Sequence, residues 1–193
     1  MLNAMRLDAD RAMLLIVDVQ TKLLPHIDGA KDRLSAAVQL IRGARVFDLP
    51  ALATVQYTKG LGPTHPAIER LLSEHGIETL EKASFSTCGD EAVRERLRRI
   101  DRPQILVTGI EAHVCVQQSV LDLLSMDYQV FVCADAVGSR RSFDRETALA
   151  RMRATGAAVT TVESALFELC AESGTEPFKR LLEVVKAPEN VTL

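Results

Sequence analysis

Three residues of this chain have types and positions that could work together chemically: Asp18, Lys82 and Cys115. Cys115 lies a few residues beyond the apolar run Gln104–Ile110 and opens an amphipathic stretch. That places it at the start of a helix, where unpaired N–H groups and the helix dipole favour a thiolate. The same N–H groups would stabilise the oxyanion formed when a sulfur attacks a carbonyl. The plainer reading is a small buried hydrophobe, the usual fate of a cysteine. Asp18 ends the apolar run MLLIVD. A buried carboxylate is costly unless paired, so Asp18 needs a loop to cap, an arginine, or a role as the base that takes and returns a thiol proton. Lys82, in EKASFS, reads alone as a surface lysine. Beside the other two, its ammonium would hold both the acid and the thiol ionised.

Other polar residues read as less reactive. His113 is two residues from Cys115, and such positions on a helix do not face each other, so a Cys–His pair is not expected, although His113 could touch a substrate. His26, His65 and His75 sit in loops or at helix ends. Asp135 reads as a cap for the turn at Gly138–Ser139, and Arg140 and Arg141 as a solvated face rather than a site for an anion.

The elements that must position these residues alternate in type. Apolar runs at Met13–Asp18, Ala51–Gln56, Gln104–Ile110, Gln129–Ala134 and Ala158–Val162, together with the short stretch Glu78–Glu81, read as strands. Between them, Ala30–Phe47, His65–Gly76, Asp90–Ile100 (capped by Asp90), the stretch carrying Val116, Val120, Leu123 and Leu124, and Phe143–Thr155 have helical spacing. Ser164–Glu172 and Pro177–Lys186 close the chain as helices, and Lys59–Pro63 is a loop. Strands alternating with helices imply a mostly parallel sheet, and right-handed crossovers make it a three-layer α/β/α domain spanning residues 1–193. Ligands bind such sheets beyond the carboxyl ends of the strands, which is the rim where Asp18, Lys82–Ser86 and Glu111–Cys115 all fall.

Bulk properties remove several alternatives. The net charge of -3 gives no electrostatic reason for a nucleic-acid partner. No apolar stretch reaches membrane length, and Met13–Val17 is too short for a signal segment, so a cytosolic protein is expected. The four cysteines, Cys88, Cys115, Cys133 and Cys170, form no CxxC pair and are too spread for a structural zinc site. DVQTKLL after the first strand is not the glycine fingerprint of a dinucleotide site, and no phosphate-binding GxxxxGK[ST] loop occurs.

Three ordered segments resemble the isochorismatase-like cysteine hydrolases over nearly the whole chain. LLIVDVQ at Leu14–Gln20 is similar to the acid-bearing first strand of that family, EKASFS at Glu81–Ser86 to its lysine segment, and VTGIEAHVCV at Val107–Val116 to its nucleophile segment. The resemblance implies a catalytic triad of Asp18, Lys82 and Cys115. It also implies a cis peptide between Ile110 and Glu111, an oxyanion site made by the N–H groups of Glu111 and Cys115, and a six-stranded parallel sheet in the order 3-2-1-4-5-6. It further implies a homo-oligomer. Nicotinamidases of the family carry DxHxxH after the second strand to hold a metal. Here QYTKGLGPTHP stands there, with Tyr57 near the position of the aspartate, so no metal or other cofactor is expected. True isochorismatases generally lack the cysteine that this chain keeps. QYTKGLGPTHP, GIEAHVC and DAVGSRRSFDRETALARMRATGA look most like the isochorismatase-domain-containing subgroup.

The reading that follows is a metal-independent cysteine hydrolase that cleaves a small amide or related acyl compound through a thioester. Tyr57, Phe85 and His113 are expected to line its pocket. The alternatives are a binding or scaffold protein that retains the triad without turnover, and a vinyl-ether hydrolase.

Overall fold

The computed structural model describes residues 6–186 and 191–193; residues 1–5, which begin the segment before the first strand, and 187–190 lie outside the described residues of the expected 1–193 span. All six side chains of β1 (Ala12–Val17) are buried. A strand with no polar face must be covered on both sides. Met13, Leu15 and Val17 enter one apolar cluster and Leu14 and Ile16 the other, because successive side chains of a strand point to opposite faces.

The remaining strands are β2 (Ala51–Gln56), β3 (Glu78–Lys82), β4 (Gln104–Ile110), β5 (Gln129–Gly138) and β6 (Ala158–Thr160). The helices are α1 (Ala30–Val46), α2 (Thr58–Leu61), α3 (Pro66–Glu74), α4 (Glu91–Ile100), α5 (Gln117–Ser125), α6 (Ser142–Ala154), α7 (Val162–Cys170) and α8 (Glu176–Lys186). Leu34, Ile41, Ile68, Leu166 and Leu181 seat α1, α3, α7 and α8 on one face of the sheet. Val93, Leu97, Val120, Leu123 and Met152 seat α4, α5 and α6 on the other. The strands pair in parallel in the order β3-β2-β1-β4-β5-β6, so the expected three-layer fold and strand order hold. The order reverses between β1 and β4, the switch point where crevices open in such sheets. No helix among the described residues is long and apolar enough to cross a membrane.

One glycine is essential to that switch point. Gly109 has φ +135°, and a Cβ there would lie 2.0 Å from the carbonyl oxygen of Val17, so only glycine lets β4 approach the end of β1 so closely.

β5 departs from its expected end at Ala134 by running on to Gly138. Its pairing with β4 slips, from Val107 opposite Val132 to Gly109 opposite Val137, and the extra residues bulge out. Thr108 Oγ1 closes the gap by donating to the Ala136 carbonyl at 2.7 Å. Asp135, inside the bulge, does not cap the Gly138–Ser139 turn as expected. Its carboxylate instead accepts from the N–H of Val162 at 2.9 and 3.1 Å, at the start of α7, where unpaired donors attract an acid. The expected loop at Lys59–Pro63 is partly helical, since Gly60 and Leu61 donate back to the Tyr57 carbonyl and form α2.

Candidate active site

Three strand ends converge on one small polar cluster. β1 ends at Val17, and Asp18 turns into the left-handed region at φ 51°, which aspartate tolerates better than most residues. Its N–H donates to the Thr54 carbonyl at 3.0 Å, fixing the turn against β2. β3 ends on Lys82, whose ammonium reaches back beneath the rim. The side chains of Asp18 and Lys82 are both fully buried, and Lys82 Nζ lies 2.7 Å from Asp18 Oδ2. Asp18 therefore pairs with Lys82 rather than with an arginine.

Neutral groups complete the pair. Lys82 Nζ also donates to Gln56 Oε1 at 2.8 Å and to the carbonyls of Phe85 and Ser84 at 3.0 and 3.1 Å. The other oxygen of Asp18, Oδ1, accepts from Thr54 Oγ1 at 2.8 Å. Gln56 Nε2 donates to the Ala83 carbonyl at 2.7 Å, which turns its amide oxygen toward the lysine. Gln20 holds Gln56 in turn, accepting from its backbone N–H at 2.8 Å and donating to its carbonyl at 2.9 Å. Burial of a charged pair is tolerable only when the remaining lone pairs and protons are also satisfied, and here they are.

Cys115 stands over this cluster, its sulfur 3.9 Å from Gln56 Oε1. It lies in a π-turn, Ala112–Val116, rather than in the first turn of α5, and the Val116 N–H donates five residues back to the Glu111 carbonyl. The peptide between Ile110 and Glu111 is cis. Ser119 Oγ donates to the Cys115 carbonyl at 2.6 Å and accepts from the Thr87 N–H at 2.9 Å, so one buried hydroxyl ties the cysteine to the loop that follows Lys82.

The electrostatics correct one expectation. A helix start favours a thiolate, but burial and the Asp18 carboxylate push the Cys115 thiol up to about 12, with Lys82 opposing them. Cys115 thus rests as a thiol, and any nucleophile it provides must first lose a proton. Burial also raises Cys88, and Cys133 still more; all four cysteines are free.

The expected pocket residues divide. His113 Nδ1 lies 3.0 Å from Ser139 Oγ, facing the β5–α6 turn rather than the sulfur. Tyr57 and Phe85 stand at the rim, 59% and 54% exposed, so this chain alone does not enclose them. Arg140 is not part of a purely solvated face: its backbone N–H and Nε both donate to Glu111 Oε2. A cleft of about 630 Å³ lined by Arg6, Leu7, Gln104 and Glu168 lies toward the amino ends of the strands, away from the rim that carries the thiol. Among the described residues, no group of three or more His, Cys, Asp or Glu side chains is placed to hold a metal ion. Thr54, Gln56, Gln20 and Ser119 were not singled out from the sequence. Thr54 and Gln56 did carry a signal, as polar residues two apart in an otherwise apolar strand.

Residues 12–164 match the Isochorismatase domain family. The chain belongs to that family. Among its relatives, isochorismatase domain-containing protein 2A of Mus musculus is 36% identical over 184 residues, covering 95% of this chain and 86% of the relative. Among solved structures, the MAR1 ribonuclease of Caenorhabditis elegans superposes with a TM-score of 0.89 at 33% identity, covering 98% of each chain. YcaC of Pseudomonas aeruginosa, solved with hexane-2,5-diol and covalent acrylamide, superposes with a TM-score of 0.88 at 26% identity over 95% of this chain and 93% of its own. As a member of the isochorismatase-like hydrolase family, the chain is a hydrolase.

Proposed function

We propose that this isochorismatase-family protein is a metal-independent cysteine hydrolase that opens a small amide, or a related acyl compound, through a thioester. The observation that carries the reading is the fully buried Asp18–Lys82 pair beneath Cys115. A buried ion pair is a poor stabiliser, so its position under a lone thiol points to chemistry.

Asp18 takes the proton of the Cys115 thiol as the sulfur adds to the carbonyl. The oxyanion lies against the backbone N–H groups of Glu111 and Cys115. Lys82 holds the charge of Asp18 in place throughout. On collapse Asp18 returns its proton to the leaving amine, and the acyl group remains on sulfur. Asp18 then takes a proton from water, the resulting hydroxide opens the thioester, and the acid leaves as the thiol is restored. Covalent acrylamide in the YcaC relative is in keeping with a reactive nucleophile in this fold, since acrylamide takes up nucleophiles at its alkene.

The reading extends to a cytosolic homo-oligomer with no nucleic-acid partner, and four free thiols are in keeping with a reducing compartment. The experiment is ammonia release from an amide panel by the wild type and Cys115→Ala, with and without EDTA. Turnover by wild type that survives EDTA and disappears in Cys115→Ala is expected. Equal turnover by both proteins sinks the reading. A parallel arm with single-stranded RNA tests the activity named for the Caenorhabditis elegans relative; cleavage there, with none in the amide arm, replaces the amide reading.

A further inference from the structure

The Glu111 side chain has no part in the sequence of steps above, yet it is 9% exposed and lies four residues before Cys115. Its Oε2 accepts from the Arg140 backbone N–H at 3.0 Å and from Arg140 Nε at 3.1 Å. His113 Nδ1, 3.0 Å from Ser139 Oγ, fastens the same segment to the same turn at a second point. The Asp28 N–H, donating to the Ser139 carbonyl at 3.0 Å, anchors that turn to the segment before α1. Three charged side chains act on the Cys115 sulfur: Asp18 at the end of β1 and, more weakly, Glu111 after β4 hold its proton on, while Lys82 at the end of β3 opposes them. Each of the two carboxylates has its own cation: Lys82 for Asp18, buried, and Arg140 for Glu111, 63% exposed. Without Arg140, Glu111 would leave an unpaired negative charge on the segment that carries a sulfur and an oxyanion site that must themselves become negative.

We propose that Arg140 is a positioning residue that neutralises Glu111, so that negative charge can form on Cys115, and that pins the segment carrying the oxyanion donors. This rests on Cys115 being the nucleophile. Its test is nevertheless independent of turnover, because it reads the thiol itself.

The test is peptide-resolved alkylation of Cys115 by iodoacetamide between pH 7 and 10. The wild-type rate rises about tenfold per pH unit across this range, because only the thiolate reacts. Arg140→Ala displaces that line downward by about two- to fivefold at every pH, since part of the gain in basicity returns as nucleophilicity. Arg140→Lys recovers part of the loss. Glu111→Gln displaces the line upward, and Glu111→Gln/Arg140→Ala returns it to within about twofold of wild type. A merely structural role would leave the double variant at least as slow as Arg140→Ala, and that result overturns the proposal. So does an unchanged line in Arg140→Ala. If Arg140→Ala does not fold, Glu111→Gln alone decides, and an unchanged or slower rate there overturns the proposal as well. Equal amide turnover by wild type and Cys115→Ala would instead remove the cysteine-hydrolase reading and leave the alkylation result standing.

Discussion

Replacing Lys82 by methionine keeps the length of the side chain and removes its charge. In the wild type, Nζ serves Asp18 Oδ2, Gln56 Oε1 and the carbonyls of Ser84 and Phe85. The variant strips the buried Asp18 carboxylate of its cation and leaves it neutral donors, the Thr54 hydroxyl and the Cys115 thiol. Removing one partner of a buried pair typically costs about 3–5 kcal/mol, because the other charge stays buried and uncompensated. For a domain of this size that lowers Tm by about 10 °C. Asp18→Asn/Lys82→Met removes both charges and should recover about half of the loss, while amide turnover remains absent. Urea unfolding monitored by circular dichroism, with the midpoint and slope fitted separately, measures all four corners of the cycle. A loss below about 1 kcal/mol in Lys82→Met, or strictly additive losses in the double variant, would refute the claim that the two charges depend on each other.

Three further outcomes are expected. Cys115 holds its proton to about 12 in the folded chain against 9.0 ordinarily, so the unfolded state ionises first and stability falls as pH rises above 9. Wild type should therefore lose about 1 kcal/mol more than Cys115→Ala between pH 8 and pH 10, as read by urea midpoints at the two values. Gly109→Ala places a Cβ 2.0 Å from the Val17 carbonyl oxygen, and should cost more than about 3 kcal/mol or prevent soluble expression; a near-native melting curve contradicts the close approach of β1 and β4. Thr54→Val keeps the shape of the side chain but removes a hydrogen bond to Asp18, and should lower kcat by about tenfold with little change in KM, measured by steady-state ammonia release.

The sheet was legible because burial on both faces leaves a plain mark: MLLIVD and QILVTGI have no polar face, so both had to lie inside. The rim rule by itself places Asp18, Lys82 and Cys115 at one edge of that sheet. What the sequence could not carry were features set by contacts between distant segments. The bulge in β5 depends on Thr108 reaching Ala136, and Asp135 is drawn to α7 by one N–H donor 27 residues away. Arg140 looked like a solvated residue because its partner, Glu111, is 29 positions upstream. The acidity of Cys115 departs from its local sequence context for a related reason. A helix start is a local cue, whereas the desolvation and the Asp18 charge that outweigh it come from the packed core and from β1.

The protonated, buried state of Cys115 also bears on durability. Peroxide and related oxidants attack the thiolate, and cysteines that are exposed and ionised are the first to climb toward sulfenic and sulfinic acids. A sulfur that is 5% exposed and holds its proton far above neutral pH offers such oxidants little purchase while the site is idle. The surroundings that disfavour ionisation of this thiol therefore also disfavour its oxidation.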